Sequence, residues 1–191
     1  MIEIVFATNN IHKLEEVRYL FKDKFKILSL SDIGFYNDIP ETADTLVGNA
    51  MQKVQHVIDR FLVNCFADDT GLEVRALNGA PGVFSARYAG ESCSYEANVT
   101  KLLDTMKNID DRRAVFKTII VLMFDGQLHI FTGKIEGEIT REPRGTAGFG
   151  YDSIFQPNGY TETFAEMDPA LKNTISHRAI AVQKLFKFLS L

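Results

Sequence analysis

The stretch Phe66-Ala67-Asp68-Asp69-Thr70-Gly71-Leu72 brings two adjacent carboxylates, a hydroxyl and a glycine together at the end of an apolar run from Val63. Neighbouring residues on a strand face opposite ways, so Asp68 and Asp69 look in different directions unless the chain turns. Thr70-Gly71 is suited to such a turn, and the sequence predicts one there. Two acids crowded together need a metal or a cation to hold them. The plain alternative is that Asp68 caps the turn and Asp69 is solvated.

Three other stretches carry chemistry. Thr8-Asn9-Asn10 breaks an apolar strand and opens a helix that holds Lys13 in its first turn. Helix N-termini present free N–H groups and attract phosphate, and a cation there opposes the helix dipole unless an anion is bound. Gly145-Thr146-Ala147-Gly148-Phe149-Gly150-Tyr151-Asp152 combines glycines, which admit close backbone approach, with two aromatic faces and a strong acceptor. This chemistry suits a nucleobase; the plain alternative is a tight turn with Phe149 and Tyr151 in the core. Lys172, His177 and Arg178 lie close together near the C-terminus, the last two in a first helical turn where they run against the dipole. An anion or a carbonyl-rich ligand would account for them. Glu41, just before a helix, and Lys53, two turns into it, read individually as surface charges.

These residues need elements to place them. Ile2 to Ala7 reads as an interior strand, His12 to Phe21 as a helix and Phe25 to Leu30 as a second strand. A helix is expected from Thr45 to Leu62 with Asp44 as its cap. Leu72 to Val74 resumes as a short strand, an ordered Gly/Pro loop covers 78–90, and Tyr95 to Met106 forms a third helix. Arg113 to Phe124 and Leu128 to Ile135 flank Asp125-Gly126, a strong hairpin signal. Gly137 to Arg141 is a candidate further strand, and Ile154-Phe155 another. Asp168-Pro169 should open a short helix containing Lys172, and Ser176 should cap the last helix. Strands alternating with helices, then a hairpin, give an α/β or α+β fold with a mixed sheet.

Composition narrows the class. The chain has 191 residues, 46% hydrophobic and 24% charged, as in an ordinary globular protein. The formal net charge of −4 argues against a nonspecific nucleic-acid binder. Cys65 and Cys93 have no metal or disulfide spacing and are expected as reduced thiols. With no signal-peptide layout and no apolar run of membrane length, the chain is expected in the cytoplasm.

Taken together the motifs form an ordered set. Thr8-Asn9-Asn10-Ile11-His12-Lys13 comes first, then Glu41-Thr42 with Asn49-Ala50, then Ala67 to Leu72. Gly79-Ala80-Pro81-Gly82 with Ser85-Ala86-Arg87-Tyr88 follows, then Gly148 to Asp152 and Ser176-His177-Arg178. In this order and spacing they closely resemble the inosine triphosphate pyrophosphatase family, from Ile4 to Leu189. The resemblance implies a Mg²⁺-dependent, homodimeric hydrolase that cleanses the nucleotide pool. Such an enzyme converts ITP, dITP, XTP and dXTP to the monophosphate and pyrophosphate. It implies a single domain over 1–191, an elongated mixed α/β structure with two lobes around a central sheet and a substrate cleft between them. Its partner is a small-molecule nucleotide, with no nucleic acid and no membrane.

By the same resemblance Thr8, Asn9, Asn10, Ile11, His12 and Lys13 hold the phosphates. Glu41 and Asp69 serve the metal, with Asp68 a further candidate, and Asp69 is the general base. Thr70 touches substrate, while Phe149, Gly150, Tyr151, Asp152, Lys172, His177 and Arg178 surround the nucleotide. Lys53, with Lys13 and Lys172, could neutralise a triphosphate. Three positions depart from the usual family pattern. Asn9 stands where many members have glycine, Thr70 where serine is frequent and Ser153 where proline is usual. Arg178 or His177 donating to O6 of the base would favour inosine over adenine, which presents the reverse pattern. Two other readings compete: a related pyrophosphatase for pyrimidine or modified nucleotides, and a non-catalytic nucleotide sensor, which has no use for a water-activating acid.

Overall fold

The apolar run at the N-terminus pairs on both edges. β1 (Ile2–Phe6) lies parallel to β2 (Phe25–Leu28) and to the start of β3 (Cys65–Val74). α1 (Ile11–Phe21) lies between the first two strands in sequence, and α2 (Leu46–Phe61) precedes the third. The other elements are β4 (Pro81–Gly82), α3 (Tyr95–Thr105), β5 (Arg113–Phe124), β6 (Gln127–Ile139), β7 (Phe155–Pro157), α4 (Pro169–Ile175) and α5 (His177–Leu189). Strand order is β2-β1-β3-β5-β6-β7, with the short β4 antiparallel to β3. β6 and β7 are also antiparallel, so the sheet is mixed, as expected from the sequence. This computed structural model describes residues 2–21, 25–91 and 94–190, so Met1 and the expected thiol of Cys93 lie outside the described residues. Among the described residues, no helix is long and apolar enough to cross a membrane.

The chain divides into two compact units. The first comprises Met1–Asp69, Thr118–Gly133 and Arg178–Leu191, and the second Thr70–Lys117 and Lys134–His177. In the first, Ile4 and Phe6 of β1 and Phe66 of β3 pack with Leu14 and Val17 of α1 and with Ala181, Val182 and Leu185 of α5. The rings of Phe6 and Phe66 stack, with centroids 4.5 Å apart. In the second, Leu72 and Val74 pack with Val99, Leu102 and Met106, with Phe116, and with Ile154, Phe155 and Phe164. Each unit thus has its own apolar core, built from the stripes that helical and strand periodicity predict.

Four local expectations change. The turn at Thr70-Gly71 does not form, and β3 runs unbroken from Cys65 to Val74. Its two ends are secured by separate partners, β1 at Cys65 and Phe66 and β4 at Leu72 and Glu73, so the strand continues through the acids. The cap of α2 is Thr45 and not Asp44: extended Thr45 accepts a hydrogen bond from Gly48 N at 3.0 Å through its hydroxyl. Gly137 to Ile139 form no new strand but are the end of β6, where they pair with β7. Ile154 belongs to a short 3₁₀ turn, Asp152–Ile154, that precedes β7. The Asp125-Gly126 hairpin forms as predicted, both residues having the positive φ (48° and 76°) that a tight turn between twisted strands demands.

Candidate active site

In the first unit, β1 delivers the chain to the Thr8-Asn9-Asn10 turn. The turn folds on its own side chains: Thr8 Oγ1 accepts from Asn10 N at 3.2 Å, and Asn10 Oδ1 accepts from Lys13 N at 3.2 Å. Asn10 thereby caps α1, satisfying one of the free N–H groups of its first turn. Lys13 then reaches β3, donating from Nζ to Asp68 Oδ1 at 2.8 Å. Arg178, in the first turn of α5, donates from Nε to Asp68 Oδ2 at 3.3 Å and pairs with Glu16 through Nη1. Both oxygens of Asp68 are therefore held by cations in a site that is almost fully buried.

Asp69 has a different environment. Its Oδ2 accepts from Asn49 Nδ2 at 3.0 Å, and its Oδ1 lies 4.0 Å from Lys53 Nζ. The same ammonium donates to Glu41 Oε1 at 2.6 Å. Asn49 and Lys53, four residues apart on α2, share one face and are both buried. Glu41 and Asp69 thus converge on a single cationic centre.

The titration behaviour follows from this geometry. Burial alone would push Asp68 up, but Lys13 and Arg178 overcome it and hold the carboxyl far below the ordinary range. Burial pushes Asp69 up, and Lys53 and Lys13 oppose that shift without reversing it. Burial lowers Lys13 despite the Asp68 carboxylate beside it. For Lys53, burial is outweighed by Glu41, Asp69 and Asp68, which raise it.

A second cluster forms in the other unit. Asp152 Oδ2 accepts from Phe149 N and from Lys172 Nζ, each at 2.8 Å. Gly148, at φ +75°, lies so close that a Cβ there would collide with the same carboxylate oxygen. The Lys172 ammonium stands over the Phe149 ring, 5.4 Å from its centroid, and Tyr95 lies 5.9 Å from the same ring. Asp168 caps α4 through Ala170 N at 2.8 Å, which sets Lys172 one turn into that helix. His177 is buried with its ring stacked on Phe116 at 4.4 Å and 9°.

The expected site residues therefore separate into two sets. The first unit contains Thr8, Asn9, Asn10, Lys13, Glu41, Lys53, Asp68, Asp69 and Arg178. Ile11 and His12 also belong to it but are exposed on α1. The second contains Thr70, Phe149, Gly150, Tyr151, Asp152, Lys172 and His177. Tyr151 is buried, its hydroxyl donating to Ser85 O at 2.9 Å, and burial raises its pKa. It supports the loop from beneath, in line with the core alternative for that residue. Sequence reasoning assigned no role to Glu16, Asn49 or Tyr95. Asn49 stands in the ordered motifs without a role, and the signal for one is its interruption of the apolar stripe of α2 between Leu46 and Ala50, at a fully buried position.

Among the described residues, no three of His, Cys, Asp or Glu converge as a metal-binding group. Two carboxylates around one ammonium are instead the hard-oxygen set that a divalent cation shares with a phosphate ligand. Lys53 Nζ occupies the place between them that positive charge favours. The residues fit such a cation.

The first unit thus holds a helix-opening polar turn and two carboxylates around one ammonium, and the second an aromatic loop ordered by a carboxylate, groups of the kind that nucleotide hydrolases use. The Ham1 family profile matches residues 4–188. A dITP/XTP pyrophosphatase of Porphyromonas gingivalis is 54% identical over 99% of this chain and 98% of its own. The structure of a HAM1 protein from Coxiella burnetii is 41% identical with a TM-score of 0.91, covering 100% of this chain and 99% of that one. The Staphylococcus aureus Ham1 protein gives 40% identity and a TM-score of 0.89, over 98% of each chain. The chain belongs to the Ham1 family.

Proposed function

We propose that this protein hydrolyses deaminated purine nucleoside triphosphates, ITP, dITP, XTP and dXTP, to the monophosphate and pyrophosphate, with Mg²⁺ as cofactor. The observation that carries the reading is the pairing of Glu41 and Asp69 on one cationic centre beside the Thr8–Lys13 turn. The relative from P. gingivalis, a dITP/XTP pyrophosphatase by name, supports the substrate class. In this reading the first cluster takes the triphosphate with its metal and the second takes the base. The protein acts as a cytoplasmic homodimer.

Each residue has a task. Thr8, Asn10 and Lys13 bind the phosphates, and Lys53 adds positive charge. Glu41 and Asp69 hold Mg²⁺, which when bound neutralises phosphate charge and orients the triphosphate. Asp69 orients the attacking water and accepts its proton. Water attacks the α-phosphorus, the bridging α–β oxygen leaves with pyrophosphate, and no covalent enzyme intermediate forms. In this reading Asp68 serves to hold Lys13 and Arg178, which pair with its two oxygens, while Glu41 and Asp69 serve the metal.

Phe149 and Lys172 offer the base a flat face and a cation, with Asp152 holding both in place. Of the two candidate donors to O6, His177 shares a unit with Phe149, and Arg178 is engaged by Asp68 and Glu16. We assign O6 to His177. Pyrophosphate release from dITP that needs Mg²⁺ tests the reading. Hydrolysis in H₂¹⁸O tests the site of attack: label should enter the monophosphate, and label in pyrophosphate would contradict it.

A further inference from the structure

The segment that carries Glu41 has no regular structure between the short 3₁₀ turn Ser31–Ile33 and α2. Its downstream end is firmly held. Gln52 Oε1 accepts from Thr42 N at 3.0 Å, Asn49 Oδ1 accepts from Ala43 N at 3.0 Å, and Gln52 Nε2 donates to Thr42 Oγ1 at 2.8 Å. Upstream of Glu41 the segment is held from a different direction. Asn9 Nδ2 donates to Asp38 Oδ1 at 2.8 Å and to Asn37 O at 3.2 Å. Asn9 is the central residue of the Thr8–Asn10 turn, whose own Thr8–Asn10–Lys13 bonds fix where that amide points.

We infer that Asn9 is a positioning residue for Glu41, acting through Asp38. The inference rests on the reading of Glu41 as a metal ligand. A tether three residues from a carboxylate, matched by the Gln52 clamp on its other side, restricts the positions that carboxylate samples. It also joins the phosphate-binding turn to the metal-binding segment, so ordering of one orders the other. Asp38 gains a second role: engaged by the Asn9 amide, its charge is turned to the tether beside a turn meant for anions. Both side chains are exposed, so the fold does not depend on the contact.

The test uses the purified full chain and two readouts. One is the Mg²⁺ concentration giving half-maximal hydrolysis of ITP. The other is Mn²⁺ binding followed by EPR in the presence of α,β-methylene-ITP, which needs no turnover. Asn9→Ala and Asp38→Ala should each weaken metal binding about three- to tenfold, the reach of one or two exposed hydrogen bonds. The double variant should be no worse than Asn9→Ala alone, which already removes the contact that Asp38→Ala breaks as well as the bond to Asn37 O. Asp38→Asn keeps the acceptor oxygen and should restore the wild-type value. If Asn9→Ala raises only the KM for ITP at saturating Mg²⁺ while Asp38→Ala changes nothing, Asn9 acts on phosphate directly and the inference is overturned. Glu41→Gln separates the two claims. If it weakens Mn²⁺ binding while Asn9→Ala and Asp38→Ala do not, the tether alone fails; if it leaves binding unchanged, the metal reading fails and the tether with it.

Discussion

Asp68 and Asp69 are neighbours on β3, yet one is locked between Lys13 and Arg178 while the other faces Asn49 and the Lys53–Glu41 pair. Strand alternation alone produces this division, sending adjacent side chains to opposite faces. The two acids should therefore fail differently. Asp68→Leu leaves the partly buried Lys13 and the buried Arg178 without their shared partner and should cost about 3–5 kcal/mol of stability. Asp69→Asn keeps the size of the side chain and removes a carboxylate that burial disfavours. Its metal-free melting temperature should equal or exceed that of the wild type, while kcat falls by about 10²–10⁴. Thermal melts in EDTA with parallel rate measurements check both.

Acid should unfold the protein partly through Asp68. Its folded-state pKa lies below its unfolded value, so its contribution is complete above the ordinary carboxylate pKa and is lost as pH falls below it. Asp69 has the opposite shift and the opposite sign: its ionised form costs stability above its folded pKa. Urea unfolding in EDTA between pH 7 and pH 3 should show a steeper loss below about pH 4 in the wild type than in Asp68→Asn. Parallel curves would remove Asp68 from this account.

Much of this site could be read from residue types and spacing. The Thr8–Asn10 turn is legible because a strand, a polar triplet and a lysine in a first helical turn coincide within a few positions, each being a local feature. The carboxylate pair was visible too, but not its continuity: Thr70-Gly71 reads as a turn locally, and only the pairing of β3 with β1 and β4 keeps it extended. The cap at Thr45 was displaced by one residue because Asp44 and Thr45 are both good caps, and helix geometry decides between them. Glu16 and Tyr95 acquire roles solely through partners distant in sequence, Arg178 and Phe149, which no local pattern reveals.

The two glycines flanking Phe149 make a paired prediction. Gly148→Ala introduces strain at positive φ and drives a methyl group against the Asp152 carboxylate, so it should disturb the bonds to Phe149 N and Lys172. Gly150 has a similar φ of +64° but open space around it, so Gly150→Ala bears only the backbone strain, about 1 kcal/mol. The KM for ITP should rise at least about tenfold in the first variant and by less than about threefold in the second.

Cys65 should be chemically silent. It is fully buried, and burial pushes its thiol up to about 12, leaving a negligible thiolate fraction at pH 8. In a Cys93→Ser background, Ellman's reagent should find no reactive thiol in the folded protein and one after denaturation. A fast reaction in the folded state would contradict the placement of Cys65.

The most direct test of the proposed activity is what the pure protein does with a panel of triphosphates. With Mg²⁺ present, ITP, XTP, GTP, ATP and dTTP are incubated separately, and pyrophosphate and orthophosphate are both measured. Fast pyrophosphate release from ITP and XTP, with little from the other three, is the predicted result. Orthophosphate as the product, equal turnover of all five, or no turnover of any would contradict it.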